Sequence, residues 1–112
     1  MKFISKKDHD ILEVLHYNEG PCLYGFEQKG ESFLACLKKQ NNDDSQTWIL
    51  VPLTQDDKYN YELMKSNKLS LSDFIKDKGA WEVTFDYTGL NTKENWLPKV
   101  DTSKVPSYSL TY

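Results

Sequence analysis

Residues 21 to 39 read PCLYGFEQKGESFLACLKK, a stretch that is apolar on both sides of a hairpin. Gln28-Lys29-Gly30 suits a three-residue connection, with Gly30 in the left-handed conformation that closes a bulge. That register sets Glu27 opposite Glu31, Tyr24 opposite Leu34 and Cys22 opposite Cys36. Cys22, Tyr24, Phe26, Leu34 and Cys36 then share one face, and Leu23, Gly25, Phe33, Ala35 and Leu37 share the other. A hairpin with two apolar faces belongs in the middle of a sheet that is covered on each side. Any fold for this chain must supply both covers.

The flanking segments suggest how. Ile11 to Tyr17 reads as a first strand, followed by a turn at Asn18-Glu19-Gly20-Pro21. Gln40 to Gln46 is a polar loop and the expected mobile tip, and TWILVPL after it has the length and apolarity of a central strand. Pro52 cannot donate to a ladder, so it belongs at the strand end or on an unpaired side. Thr54 with Asp57, and Ser70 with Asp73, are helix-opening patterns, predicting one helix to about Ser66 and a short second one ended by Gly79. AWEVTFDY alternates, with Trp81, Val83, Phe85 and Tyr87 on one side. Beyond Gly89 the periodicity is lost. The expected architecture is an α+β domain over residues 1–89, its mainly antiparallel sheet having about five strands. Two helices are inserted before the last strand, and residues 90–112 form an extended arm anchored by Trp96, Leu97, Val100 and Tyr108.

Candidate chemistry is sparse. Facing strands would allow a Cys22–Cys36 disulfide, yet a chain expected to lack a secretion signal belongs in a reducing compartment, which favours two packed thiols. Zinc wants about four ligands, and only His9 and His16 are to hand, without metal-site spacing. His16, at strand spacing from Leu12 and Val14, is the one candidate general base, although a histidine at a strand end is more often a satisfied structural residue. Phosphate-loop, dinucleotide and nucleophile-elbow motifs are absent. These readings point away from an enzyme and imply no cofactor or metal. Met1 to Asp10 is too charged for a signal peptide and no run is long enough to span a membrane, so a soluble cytoplasmic protein is expected.

Charge narrows the partners further. The net charge is -3 and all 14 basic residues are lysine, which disfavours general nucleic-acid binding and removes the bidentate arginine clamp. Five Phe, three Trp and seven Tyr offer either core volume or stacking surface. A small ligand would use Tyr24, Trp48 or Trp96 for stacking, with Lys38 and Lys99 meeting its phosphates. A protein partner would use the arm through Trp96, Leu97, Val100 and Tyr108. A homo-oligomer is also expected, because the arm and the half-exposed aromatic strand offer surface to bury.

One resemblance bears on this choice. Gly20-Pro21-x-Leu23-Tyr24, Trp48-x-x-Val51-Pro52 and Leu69-Ser70-Leu71 together resemble a family of small bacterial and phage domains of unknown function, over about residues 11 to 78. Asn67-Lys68 stands where that family commonly has a glycine. The resemblance implies an α+β fold and a bacterial or phage setting, and it carries over no catalytic residue. The expected function is non-enzymatic binding, in its sharpest form a phage or prophage anti-defence protein that sequesters a nucleotide-type signal. The alternatives are a protein-binding inhibitor or immunity-type module, and a small hydrolase or nuclease using His16.

Overall fold

A computed structural model of the chain describes residues 1–105. Six strands run in chain order across one antiparallel sheet: β1 Asp10–Tyr17, β2 Pro21–Gln28, β3 Glu31–Gln40, β4 Gln46–Leu53, β5 Ala80–Phe85 and β6 Asn91–Leu97. Helices α1 (Lys58–Lys65) and α2 (Leu71–Ile75) lie between β4 and β5, preceded by a 3-10 turn at Gln55–Asp57. The α+β architecture is as expected, with six strands in place of about five. The additional strand is β6, in the segment the sequence suggests is an irregular arm. It pairs with β5 from Ala80↔Leu97 to Phe85↔Asn91, so the sheet continues past residue 89.

The central hairpin differs from its expected register by one residue. Gln28 faces Glu31, Tyr24 faces Ala35 and Leu23 faces Cys36. The loop is therefore two residues, Lys29 and Gly30, both at positive φ (51° and 80°), as the tightest hairpin turns require. A one-residue slip moves every side chain of the partner strand to the other face. Tyr24, Phe26, Phe33 and Ala35 thus share one cluster, and Leu23, Leu34 and Cys36 the other. The three-residue connection with a left-handed glycine occurs instead between β5 and β6, where Asp86 N donates to Leu90 O (2.8 Å) and Gly89 has φ 92°.

Both faces are covered, by different means. On one, Met64 of α1 and Leu71, Phe74 and Ile75 of α2 pack on Leu23, Leu34, Cys36, Ile49 and Val51. Ser70 Oγ caps α2 by accepting from Asp73 N at 3.0 Å. Asp77, at φ 64°, turns the chain after that helix, two residues before the glycine expected to do so. Pro52 sits where β4 has only β3 as partner, since pairing with β5 stops at Leu50.

The other face is closed by the chain's first residues. Phe3 is fully buried and meets Phe33 edge-on with ring centres 5.3 Å apart. The segment is pinned to β6: Glu94 accepts from Lys2 N (2.9 Å) and Phe3 N (3.0 Å), Asn91 N donates to Ile4 O (2.9 Å), and Ser5 bridges Leu90. His9 completes this cover, lying flat on Phe26 at 3.8 Å with Nδ1 hydrogen-bonded to Tyr24 Oη at 2.8 Å. Truncating Phe3 removes the keystone of that cover. Phe3→Ala should lower unfolding free energy by about 3 kcal/mol, measured by urea denaturation.

His9 also makes stability depend on pH. Burial, reinforced by the Lys6 ammonium and opposed by Asp8, lowers its pKa from 6.5 to about 4. Its Nε2 is buried without a hydrogen-bond partner among the described residues. The unfolded chain binds this proton more readily than the folded one. The contribution is therefore complete above pH 6.5 and is lost as pH falls from there towards 4. Unfolding free energy should fall across that window by on the order of 2 kcal/mol, and the fall should shrink in His9→Phe.

Candidate functional site

Tyr24 and Trp48, two of the three aromatics expected to stack on a ligand, are core residues. They are 2% and 1% exposed, respectively. Their rings meet at 5.4 Å, and Tyr24 has its hydroxyl tied to His9. Burial raises the Tyr24 pKa far above its ordinary value, as expected for a phenol with no water to stabilise its anion. Both side chains belong to the aromatic cluster on the face that Phe3 covers. Trp48→Ala should destabilise the whole fold by about 3–5 kcal/mol in thermal or urea unfolding.

Trp96 differs. It stands on the β6 edge, 47% exposed, packing edge-on against Trp81 at 5.0 Å. The remaining expected contacts meet on the helix-bearing face, where Lys38, Leu97, Lys99 and Val100 line one cleft of 140 Å³. That cleft is below the roughly 300–1,000 Å³ typical of ligand pockets. Its lysines are also committed: Lys38 to Glu82 and Lys99 to Asp77, each at 2.9 Å. Val100 is buried and its N donates to Lys78 O at 2.9 Å, so it anchors the chain within its own domain. Tyr108 lies outside the described residues.

The cysteines are both free and buried. Leu23, not Cys22, faces Cys36, so the two thiols project from opposite sides of the sheet and cannot bridge. Cys22 Sγ donates to Gly20 O at 3.4 Å. Burial pushes the Cys36 thiol up to about 12, which leaves it an inert core group. No cluster of three or more His, Cys, Asp or Glu side chains suited to a metal ion occurs among the described residues.

Of the larger concavities, two reach 590 Å³ or more. One, of 660 Å³, runs between the β1–β2–β3 end of the sheet and the start of α1, lined by Leu12, Gly25, Pro52, Leu53 and Tyr61 among others. Its carboxylates already have partners. Glu13 accepts from Tyr61 Oη and Lys65 Nζ, both at 2.9 Å, Glu31 pairs with Lys2 at 2.9 Å, and Asp57 pairs with Lys78. This network fastens α1 to the sheet and leaves little unspent polarity.

The second, of 590 Å³, is polar and is lined by Lys6, Lys7, Asp44, Gln46, Asp86, Tyr87, Thr88 and Gly89. Three chain segments build it. The 3-10 turn Lys6–Asp8 is capped by Ser5, the 41–45 loop is closed by Asn41 N donating to Ser45 O (2.9 Å), and the 86–90 turn is held by Asp86. Lys6 N donates to Gly89 O at 2.8 Å, locking the first and last of these together. Lys6 Nζ donates to Gln46 Oε1 at 3.0 Å and lies 4.8 Å from the centre of the Trp48 ring. Burial lowers its pKa from the ordinary lysine value. Neither Lys6 nor Lys7 takes part in an ion pair among the described residues. Tyr87 is 81% exposed on the rim. It was missed because alternation extends the strand through it, whereas β5 ends at Phe85. Asp86-x-x-Gly89 is the turn signature that marks this boundary.

No protein-family model matches the chain, no curated protein is similar to it, and no solved structure matches it.

Proposed function

We propose that this chain is a non-enzymatic binding protein whose ligand is a small aromatic anion of nucleotide type, held in the groove between Lys6, Lys7 and Tyr87. The observation that carries this reading is Lys6. A half-desolvated ammonium is costly unless something compensates it. Here it has only an amide oxygen and an indole face, with no carboxylate partner among the described residues. An anionic ligand supplies the missing charge, and the exposed Tyr87 ring offers a stacking surface for a base at the same groove. The groove's volume suits such a ligand. With the resemblance to small bacterial and phage domains, the biological form of this reading is sequestration of a nucleotide-type signal as an anti-defence protein.

A second reading, a protein-binding inhibitor or immunity-type module, draws on the edge strands. Trp96 on β6 and Ile11 and Leu12 on β1 are exposed on the two outermost strands, and outer strands that show apolar side chains suit a protein partner. β6 belongs to the sheet, so this reading is tested by Trp96→Ala rather than by deleting residues 90–112.

Isothermal titration of the folded protein with a panel of nucleotides tests the first reading. Tyr87→Ala should weaken binding by about 1–3 kcal/mol, and Lys6→Met by about tenfold, while Tyr87→Ala leaves the melting temperature unchanged. Absence of heat with every nucleotide in the panel would falsify the nucleotide reading and turn attention to Trp96.

A further inference from the structure

We propose that the Lys6–Tyr87 groove selects a singly charged phosphodiester over phosphomonoesters and polyphosphates. The inference rests on the nucleotide reading above and names the ligand class within it. Two cations and two carboxylates line the same groove: Lys6 and Lys7 against Asp44 and Asp86. The groove is therefore close to neutral as a whole while being locally cationic at Lys6.

Of the two carboxylates, Asp86 is fixed in place. Asp86 Oδ1 accepts from Thr88 N (2.8 Å), Thr88 Oγ1 (2.6 Å) and Leu90 N (3.0 Å). These donors hold its carboxyl below the ordinary range, so it stays ionised at neutral pH. Asp44 sits at φ 65° in the turn that carries it to the rim. A first negative charge on the ligand meets Lys6. Each further charge also meets the Asp86 carboxylate, which its own turn holds in place, and the Asp44 carboxylate on the rim.

Donor geometry argues in the same direction. The chain contains no arginine, so no planar fork is available for a terminal phosphate with three free oxygens. A diester presents two free oxygens and a single charge, within the capacity of one ammonium and its neighbours.

The test is a titration at low salt with the 3′,5′-cyclic monophosphates of adenosine, guanosine, cytidine and uridine. Each is compared with the corresponding nucleoside 5′-monophosphate and triphosphate by isothermal titration calorimetry. For the best base, the cyclic diester should bind at least about tenfold more tightly than the triphosphate. In Asp44→Asn that ratio should narrow, with the melting temperature of the free protein unchanged. A triphosphate or monoester binding as tightly as the diester overturns the selectivity and leaves the nucleotide reading standing. No binding by any of the twelve compounds removes both.

Discussion

A sheet that is apolar on both faces must be covered twice, and the rest of this structure follows from that requirement. β2, β3 and β4 carry Leu23, Leu34, Ile49 and Val51 to one side and Phe26, Phe33, Trp48 and Leu50 to the other. A chain of 112 residues has material for only one helical layer, which α1 and α2 provide. The second face is closed by the economical means of a strap, residues 2–9, that contributes Phe3 and His9. Ahead of its 3-10 turn the strap is fastened to β6: the Glu94 and Asn91 side chains hold Lys2 and Phe3, and Asn91 N donates to Ile4 O. β6 is thus both an edge strand and the fastening for the other cover.

That arrangement explains what could be read in the sequence. The first five strands, the two helices and the capping serine at Ser70 are written in local patterns of period two, apolar runs and cap residues, and they occur where those patterns lie. The two-sided burial of the central hairpin was equally legible. Its register was not, because Gln28-Lys29-Gly30 satisfies a three-residue and a two-residue turn alike, and with both faces apolar the alternation gives no vote. β6 was hidden for a different reason. Asn91, Glu94 and Trp96 answer to the strap and to Trp81 rather than to a uniform core, so the strand lacks an apolar stripe. The candidate groove was still less visible: Lys6, Gln46 and Tyr87 are far apart in the chain and meet only through the turns that carry them. Tyr24 and Trp48 illustrate the converse, since residues picked for aromatic surface were spent on volume.

The same groove shows how an all-lysine protein can build a cation with definite placement. Lysine is a flexible point charge, and an exposed one is poorly positioned. Lys6 is held by Gln46 Oε1, which also accepts from Trp48 Nε1 at 3.2 Å, while Gln46 Nε2 donates to Gln40 at 2.9 Å. A chain of amide and indole contacts therefore does the orienting that a guanidinium fork would do by its own shape. The cost is partial desolvation, recorded in the lowered pKa of Lys6.

The strap also sets the order in which the molecule can be completed. Its fastenings join residues 2–5 to residues 90–94, the longest sequence separations among the hydrogen bonds of the fold. Contacts so distant are closed late, because the intervening chain must be ordered before they return any free energy. The hairpins of the meander form first, from neighbours. The Phe3 cover and the Lys6–Tyr87 groove, which draws on residues 6–7 and 86–89 as well as Asp44 and Gln46, both depend on contacts of that kind. During synthesis the strap that covers the aromatic face of β2–β4 lacks these fastenings until residues 90–94 have been made. A groove assembled from both ends of the described chain is also available only to a molecule whose folding has finished.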